Sequence, residues 1–138
     1  MYQPSQEILD KYADLLINFA LRDCKGIKKN DVVLLQVPEC AKPMLLSLRR
    51  AVLKAGGHPL VHYLPDNISR EFYELANDQQ LSHFPSRYLK GRIEDIDHSV
   101  TILAETDKHE LEGINPQKLM KRQQAMKQYM EWKEEKGN

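Results

Sequence analysis

Apolar and polar residues follow a strand–helix–strand pattern in the middle of the chain. Residues 32–37 form a short, nearly unbroken apolar run, which is typical of a strand buried on both faces of a parallel sheet. Residues 44–55 then carry apolar side chains at helical spacing, and Gly56-Gly57 supplies the left-handed ending of many helices. Residues 60–64 form a second apolar run. This spacing predicts a right-handed βαβ unit with two parallel strands.

A first helix, a third strand and a long final helix are predicted outside this unit. Ser5 is placed to cap the first helix, and its large apolar residues recur on one face: Ile8, Tyr12, Leu15, Leu16 and Phe19. Residues 99–104 are rich in β-branched residues and predict the third strand. Asn115-Pro116 starts the final helix, which runs to residue 136. Because its large apolar groups are scattered, we expect this helix to lack a complete partner surface within the chain.

These elements predict an α/β fold. Two crossover connections favour a short parallel sheet of strand order 2-1-3, with the first strand in the centre. Helices should flank the sheet in a small three-layer domain, followed by the long carboxyl-terminal helix. The corresponding division of the chain is an α/β domain over residues 1–114 and a linking helix over residues 115–138.

Composition narrows the class of protein. The chain has 138 residues, enough for one domain, and its 20 basic and 20 acidic residues give no net charge. This balance argues against nucleic acid or an anionic membrane as a partner, because both select for basic excess. No apolar run approaches the roughly 18 residues that a membrane span needs. Cys24 and Cys40 make no disulfide framework and no ligand spacing, which indicates a cytoplasmic protein.

The candidate binding site is the crevice at the carboxyl ends of the strands, where open α/β sheets bind ligands. The residues that would line it are Glu39, Cys40, Lys42, Asp66 and Glu105. The first turn has no glycine, so a backbone cradle for phosphate is not encoded. The three carboxylates would also repel an anion. Binding of a small molecule at this crevice is therefore an alternative rather than the leading interpretation.

The chemistry-bearing residues form no complete catalytic or metal-binding set. His58 and His62 would share one side of a strand, but two histidines are too few for a zinc site. His109-Glu110 resembles the start of a zinc-binding helix motif, which fails because position 113 is glycine. Cys40 and Ser47 lack the sequence context of catalytic nucleophiles. The sequence thus predicts no catalytic residue and no metal ligand.

Five segments resemble the aminopeptidase T-like metallopeptidases. They are residues 4–13, residues 25–33, residues 43–59 with the sequence Lys54-Ala55-Gly56-Gly57-His58-Pro59 at their end, residues 104–107, and residues 111–116. Their order and spacing match that family along essentially the whole chain. No single segment is diagnostic, but the combination is fairly specific.

The resemblance implies a role within a longer enzyme. Family members are metal-dependent exopeptidases that remove amino-terminal residues from peptides with two divalent ions, such as zinc or cobalt. The metal ligands belong to a carboxyl-terminal domain that has no counterpart here, so no cofactor is expected in this chain. The family forms homodimers whose active sites face an internal cavity, partly walled by the amino-terminal domain. The resemblance therefore implies a truncated, non-catalytic amino-terminal domain whose partners are the catalytic domain and a second subunit.

Two alternatives remain from the residues themselves. The chain could be a free-standing α/β module that binds a small molecule in the strand-end crevice. It could instead be a protein-interaction module that uses an apolar surface on its last helix, formed by Tyr129, Met130 and Trp132.

Overall fold

A computed structural model describes residues 5–21, 25–102 and 110–136. The strands are β1 (Val32–Pro38), β2 (His58–Leu64) and β3 (His98–Thr101). The α-helices are α1 (Gln6–Leu15), α2 (Lys42–Lys54), α3 (Ile68–Leu75), α4 (Asp78–Ser82), α5 (Ser86–Asp95), α6 (Pro116–Ala125) and α7 (Lys127–Lys136). A π-helical turn spans Leu16–Ala20, and a 3-10 turn spans Glu39–Ala41. The chain divides into two compact units: residues 1–64 with 96–103, and residues 65–95 with 104–138.

The first unit contains a parallel sheet of three strands in the order β2-β1-β3. Leu35 in the central strand lies opposite Val61 of β2 and Val100 of β3. The predicted fold class and strand order are confirmed. The predicted start of the second strand was two residues late, because pairing extends back to His58 opposite Val32. The end of the predicted third strand, residues 103 and 104, lies outside the described residues.

The core of the first unit lies between the sheet and the helices α1 and α2. Val33, Leu35 and Val37 project from one face of β1, because alternate residues of a strand point the same way, and all three are fully buried. Leu48 and Val52 of α2 are fully buried in the same cluster. Each such side chain contributes about 1.5–3 kcal/mol through burial. Leu34 on the opposite face of β1 is also buried, as the unbroken apolar run predicted.

Helix α1 buries a different face from the one that the sequence pattern predicted. Ser5 caps the helix as expected, accepting a hydrogen bond from the Ile8 N–H at 3.3 Å. In α1 and the π-helical turn that continues it, Ala13 and Ile17 are fully buried, and Leu9 and Leu16 are partly buried beside them. The other four residues of the predicted face are more than half exposed: Ile8, Tyr12, Leu15 and Phe19. The prediction was wrong for these four, because two neighbouring arcs of the helix are apolar and spacing alone does not choose between them.

The chain leaves α1 through the π-helical turn, which the pattern did not predict. The N–H of Ile27 donates to the Ile17 carbonyl at 3.1 Å, and that of Gly26 donates to the Leu21 carbonyl at 2.8 Å. The returning chain therefore provides donors for carbonyl groups at the end of the helix. Gly26 has φ +79°, and a Cβ atom there would lie only 2.2 Å from the Asn18 carbonyl oxygen. This turn requires glycine both for its backbone conformation and for its close approach.

The second unit is helical. Helix α6 packs on α4, and α7 packs on α5. Arg122 of α6 donates to the His83 carbonyl at 3.0 Å, and its guanidinium lies 5.1 Å from the centre of the Phe72 ring. Lys136 of α7 donates to the carbonyls of Ile93 and Glu94 near the end of α5. These bonds satisfy carbonyl groups that the helix termini leave without intrahelical partners.

The long carboxyl-terminal helix is present as α6 and α7, with an interruption at Met126. Asn115 caps its start by accepting a hydrogen bond from the Gln117 N–H at 2.9 Å, as the sequence predicted. The expectation that this helix lacks a partner surface within the chain was wrong, because α4 and α5 supply one. The proposed boundary between residues 114 and 115 stays a prediction.

Candidate functional site

Three of the predicted crevice residues lie in the turn that follows β1. The strand ends at Pro38, and Lys42 closes the 3-10 turn by donating its N–H to the Glu39 carbonyl. Glu39, Cys40 and Lys42 are all exposed. Their positions follow from the parallel sheet, which puts the turn after the central strand at the carboxyl edge. Their participation in a binding crevice stays a prediction.

The other two predicted crevice residues, Asp66 and Glu105, lie outside the described part of the first unit. Asp66 is exposed in the turn between β2 and α3, where Asn67 adopts a left-handed conformation with φ +66°. Asp66 belongs to the second compact unit. Glu105 lies outside the described residues, as does Cys24. The five-residue crevice is therefore described only at its first turn.

A polar cluster that the sequence did not predict joins α1 to α2. The side-chain amide of Gln6 lies 2.9 Å from the Asp10 carboxylate and 2.7 Å from the Ser47 hydroxyl, and it donates to both. Arg50 donates to the same Asp10 oxygen at 3.0 Å. Hydrogen bonds from Gln6 and Ser47, with the positive charge of Arg50, lower the pKa of Asp10 below its ordinary value of 3.8.

Ser47 has a structural role in this cluster. Its side chain is only 2% exposed, and its hydroxyl lies 3.4 Å from the Pro43 carbonyl, one helical turn earlier. A buried serine whose hydroxyl accepts a hydrogen bond from Gln6 of the neighbouring helix links two packed helices. The residues that meet here are about 40 positions apart in the chain, so local spacing gave no signal for the cluster.

A second unpredicted pair lies at the amino ends of the strands. The His98 Nε2 atom is 2.9 Å from an Asp31 carboxylate oxygen, which also accepts the Lys28 N–H at 2.8 Å. The neighbouring Asp97 accepts the N–H of Val32 at 2.8 Å. These contacts attach the start of β3 to the start of β1. They lie at the opposite edge of the sheet from the turn that holds Glu39, and they serve the fold.

The described residues of the second unit form at least two open grooves. One has a volume of about 290 Å³ and is lined by Ile68, Glu71, Phe72, Leu75, Ala76 and Gln80. The other, of about 310 Å³, is lined by Lys90, Ile93, Glu94, Trp132, Glu135 and Lys136. Neither groove gathers a nucleophile, a base and an orienting group, which nucleophilic catalysis would require.

The predicted interaction residues of the last helix have different surroundings. Trp132 is partly buried, and its ring centre lies 5.6 Å from that of Phe84. The ring of Tyr129 lies 5.5 Å from the Lys133 ammonium, whereas Met130 is 52% exposed. A shared interface of these three residues stays a prediction.

Comparison with known proteins identifies the family. The profile of the thermophilic metalloprotease family M29 matches residues 5–137. The chain belongs to the M29 family. The resemblance to aminopeptidase T-like metallopeptidases that the sequence indicated is thereby confirmed. Among curated proteins, none matches the sequence.

The M29 assignment agrees with the fold. The solved structure of wild-type AmpT from Thermus thermophilus matches this chain with a TM-score of 0.78 at 22% sequence identity. The match covers 95% of this chain and 33% of the AmpT chain. The M29 chain described here therefore shares a fold with about one third of that protein.

Membership in M29 implies a metal, and the described residues do not fit one. Within residues 5–21, 25–102 and 110–136, no three His, Cys, Asp or Glu side chains are grouped so that they could hold an ion. His58 and His62 both lie on β2, where only two imidazoles would be available to a metal. His109 is outside the described residues. In the same ranges, no helix is long and apolar enough to span a membrane.

Proposed function

We propose that this chain is the amino-terminal, non-catalytic part of an M29 metallo-aminopeptidase, an enzyme that hydrolyses amino-terminal residues from peptides. The part would wall the active-site cavity and contribute to contacts between subunits. A catalytic portion with two divalent ions, such as zinc or cobalt, would be its partner, and the cytoplasm its compartment. The cysteine usage of the sequence supports this compartment.

The observation that carries the proposal is the set of available metal donors. A peptidase metal site needs three or more protein ligands, and none of the described ranges assembles three. The family match nevertheless extends over residues 5–137. A non-catalytic domain of a metallopeptidase accounts for both facts. The one-third coverage of AmpT supports the same interpretation.

Peptidase assays of the purified chain test the proposal. We expect no release of p-nitroaniline from aminoacyl-p-nitroanilides when zinc, cobalt or manganese is added, whereas a full-length M29 enzyme should turn over under the same conditions. We also expect less than one tightly bound metal ion per chain by elemental analysis after gel filtration. Metal-dependent turnover that co-purifies with the chain and is lost in the His58→Ala/His62→Ala variant would overturn the proposal.

A further inference from the structure

Helices α6 and α7 contact the ends of three other helices of the second unit. We call residues 116–136, which contain both helices, the strap. Three strap cations donate hydrogen bonds to carbonyl groups at helix ends: Lys118 to Tyr73 of α3, Arg122 to Leu81 and His83 at the end of α4, and Lys136 to Ile93 and Glu94 of α5. The strap therefore binds each helix that lies between β2 and β3 in the chain.

These contacts fall on groups that a helix cannot satisfy by itself. The last four carbonyl groups of an α-helix have no intrahelical donor, and the negative end of the helix dipole lies there. The Lys118 Nζ atom lies 2.7 Å from the Tyr73 carbonyl oxygen, and an Arg122 guanidinium nitrogen lies 3.0 Å from that of His83. Both distances are those of direct hydrogen bonds. Without the strap, carbonyl groups at three helix ends would lose these donors.

The three helices that the strap contacts are too short to be stable alone. Helix α3 has 8 residues, α4 has 5 and α5 has 10. Isolated helices of fewer than about 12 residues are marginal in water, even when their residues favour helix. These helices therefore depend on tertiary contacts. The strap supplies such contacts, since α6 packs on α4 and α7 packs on α5.

The second unit has few buried side chains that could replace the contacts of the strap. Among its described residues, only Ala76, Leu81 and Leu89 are buried, and none of the three belongs to the strap. The first unit instead contains a cluster of eleven buried residues. Because burial of apolar surface is the dominant favourable term in folding, the first unit should be the more stable of the two. The polar contacts of the strap have a correspondingly larger share in the stability of the second unit.

We propose that the strap is a releasable element of the fold. It detaches as one piece, and the second unit then loses its helical structure while the sheet and core of the first unit stay folded. Proteins open in such cooperative units at a lower free energy than global unfolding requires. In the open state, residues 65–95 form a flexible connection between β2 and β3. The entropic cost of closing a connection rises only slowly with its length, so the parallel sheet tolerates this state.

Hydrogen exchange of the complete chain under native conditions, measured by mass spectrometry, tests the proposal. The slowest amides of α3, α4, α5 and the strap should share one protection factor, because they exchange through the same opening. We expect this factor to be at least ~30-fold lower than that of the slowest amides of β1 and α2, which exchange only when the first unit unfolds.

Lys118→Met tests whether the strap detaches as one piece. Its lost hydrogen bond is to α3, yet exchange should become at least ~5-fold faster in α5 and α7 as well, because the whole unit opens together. The matched control is Lys121→Met in the same helix, which removes an ion pair of 3.3 Å to the exposed Asp78 carboxylate and should change exchange by less than ~2-fold. Lys118→Arg retains the cation and should stay within ~2-fold of wild type, which separates the donor from the packing of its stem.

Ile17→Val tests whether the first unit stays folded in the open state. Ile17 is fully buried in the core of the first unit, so the variant should speed exchange in β1 and α2 by ~3–10-fold. The native and open states would both keep this core and would lose the same stability. Exchange in the second unit should therefore remain at the wild-type rate.

Three results would overturn the inference. Equal protection of the second unit and of β1 would show that the two units open only together, and so would an Ile17→Val variant that speeds exchange in both. Faster exchange of α3 alone in Lys118→Met would show that the strap frays locally instead of detaching. Hydrogen exchange requires no peptidase activity, so these outcomes are independent of the assays of the proposed non-catalytic role.

Discussion

Replacing Leu48 by alanine tests the description of the first unit's core. Leu48 is fully buried in the cluster that joins α2 to the sheet. The substitution removes three carbon atoms, which costs about 2 kcal/mol at roughly 0.8 kcal/mol for each buried methylene. The cavity left behind adds to this loss, since surrounding side chains relax only partly. We therefore expect the free energy of unfolding to fall by about 3–4 kcal/mol.

Urea unfolding followed by far-ultraviolet circular dichroism measures this change. The slope of free energy against urea should stay constant, so the loss should show as a lower midpoint. Leu46→Ala is the matched control, because Leu46 lies two residues earlier in the same helix and is 51% exposed. Its cost should stay below about 1 kcal/mol. If the two variants differ by less than about 1 kcal/mol, Leu48 does not pack as described.

Three further predictions concern other contacts. Gly26→Ala should destabilise the fold by about 1–3 kcal/mol, because position 26 has a positive φ and the added Cβ would clash with the Asn18 carbonyl. Gly91→Ala should stabilise the fold by about 0.5–1 kcal/mol, because Gly91 lies within α5 with open space around it. Thermal unfolding of the two variants measures both effects. Arg122→Met should lower the free energy of unfolding by about 1–2 kcal/mol, because the His83 carbonyl loses its donor. Lys121→Met, which removes only an exposed ion pair, should lower it hardly at all. Urea unfolding followed by Trp132 fluorescence measures both values, and equal losses would contradict the contact. Asp10 has a lowered pKa, so its carboxylate should stabilise the fold above about pH 3.8 and lose that contribution as the pH falls further. The difference in stability between wild type and Asp10→Asn should therefore vanish in acid. A difference that is constant from about pH 2 to 6 would refute the linkage.

The sequence was sufficient to predict the sheet, but it was not sufficient to predict which face of α1 is buried. The unbroken apolar run of β1 predicted a central strand, because burial on both faces leaves no polar alternation to confuse the pattern. Helix α1 has two adjacent apolar arcs, and the smaller side chain, Ala13, lies in the one that packs. Side-chain size pointed to the wrong arc. Only the position of α2, set by the βαβ connection, decides which arc is covered.

The candidate site shows the same limit. The turn with Glu39 and Cys40 could be predicted, because it directly follows a recognisable strand. The cluster of Asp10 with Arg50 and the pair of Asp31 with His98 could not, since their members lie 40 and 67 residues apart. Polar contacts at such separations depend on the completed packing, and hydropathy carries no signal for them.

The order of the strands has a consequence for how this polypeptide could be shortened. The chain leaves the first unit after residue 64 and returns at residue 96, so β3 follows the 31 residues 65–95, which belong to the second unit. A product that ended anywhere within residues 65–95 would contain β1 and β2 but lack β3, so one edge of β1 would have no paired strand. Open backbone groups along an apolar strand recruit other chains, so such products should precipitate. A shortened form of the first unit would need residues 64 and 96 joined by a crossover of about a dozen residues or more, because β2 and β3 are parallel and lie on opposite sides of β1.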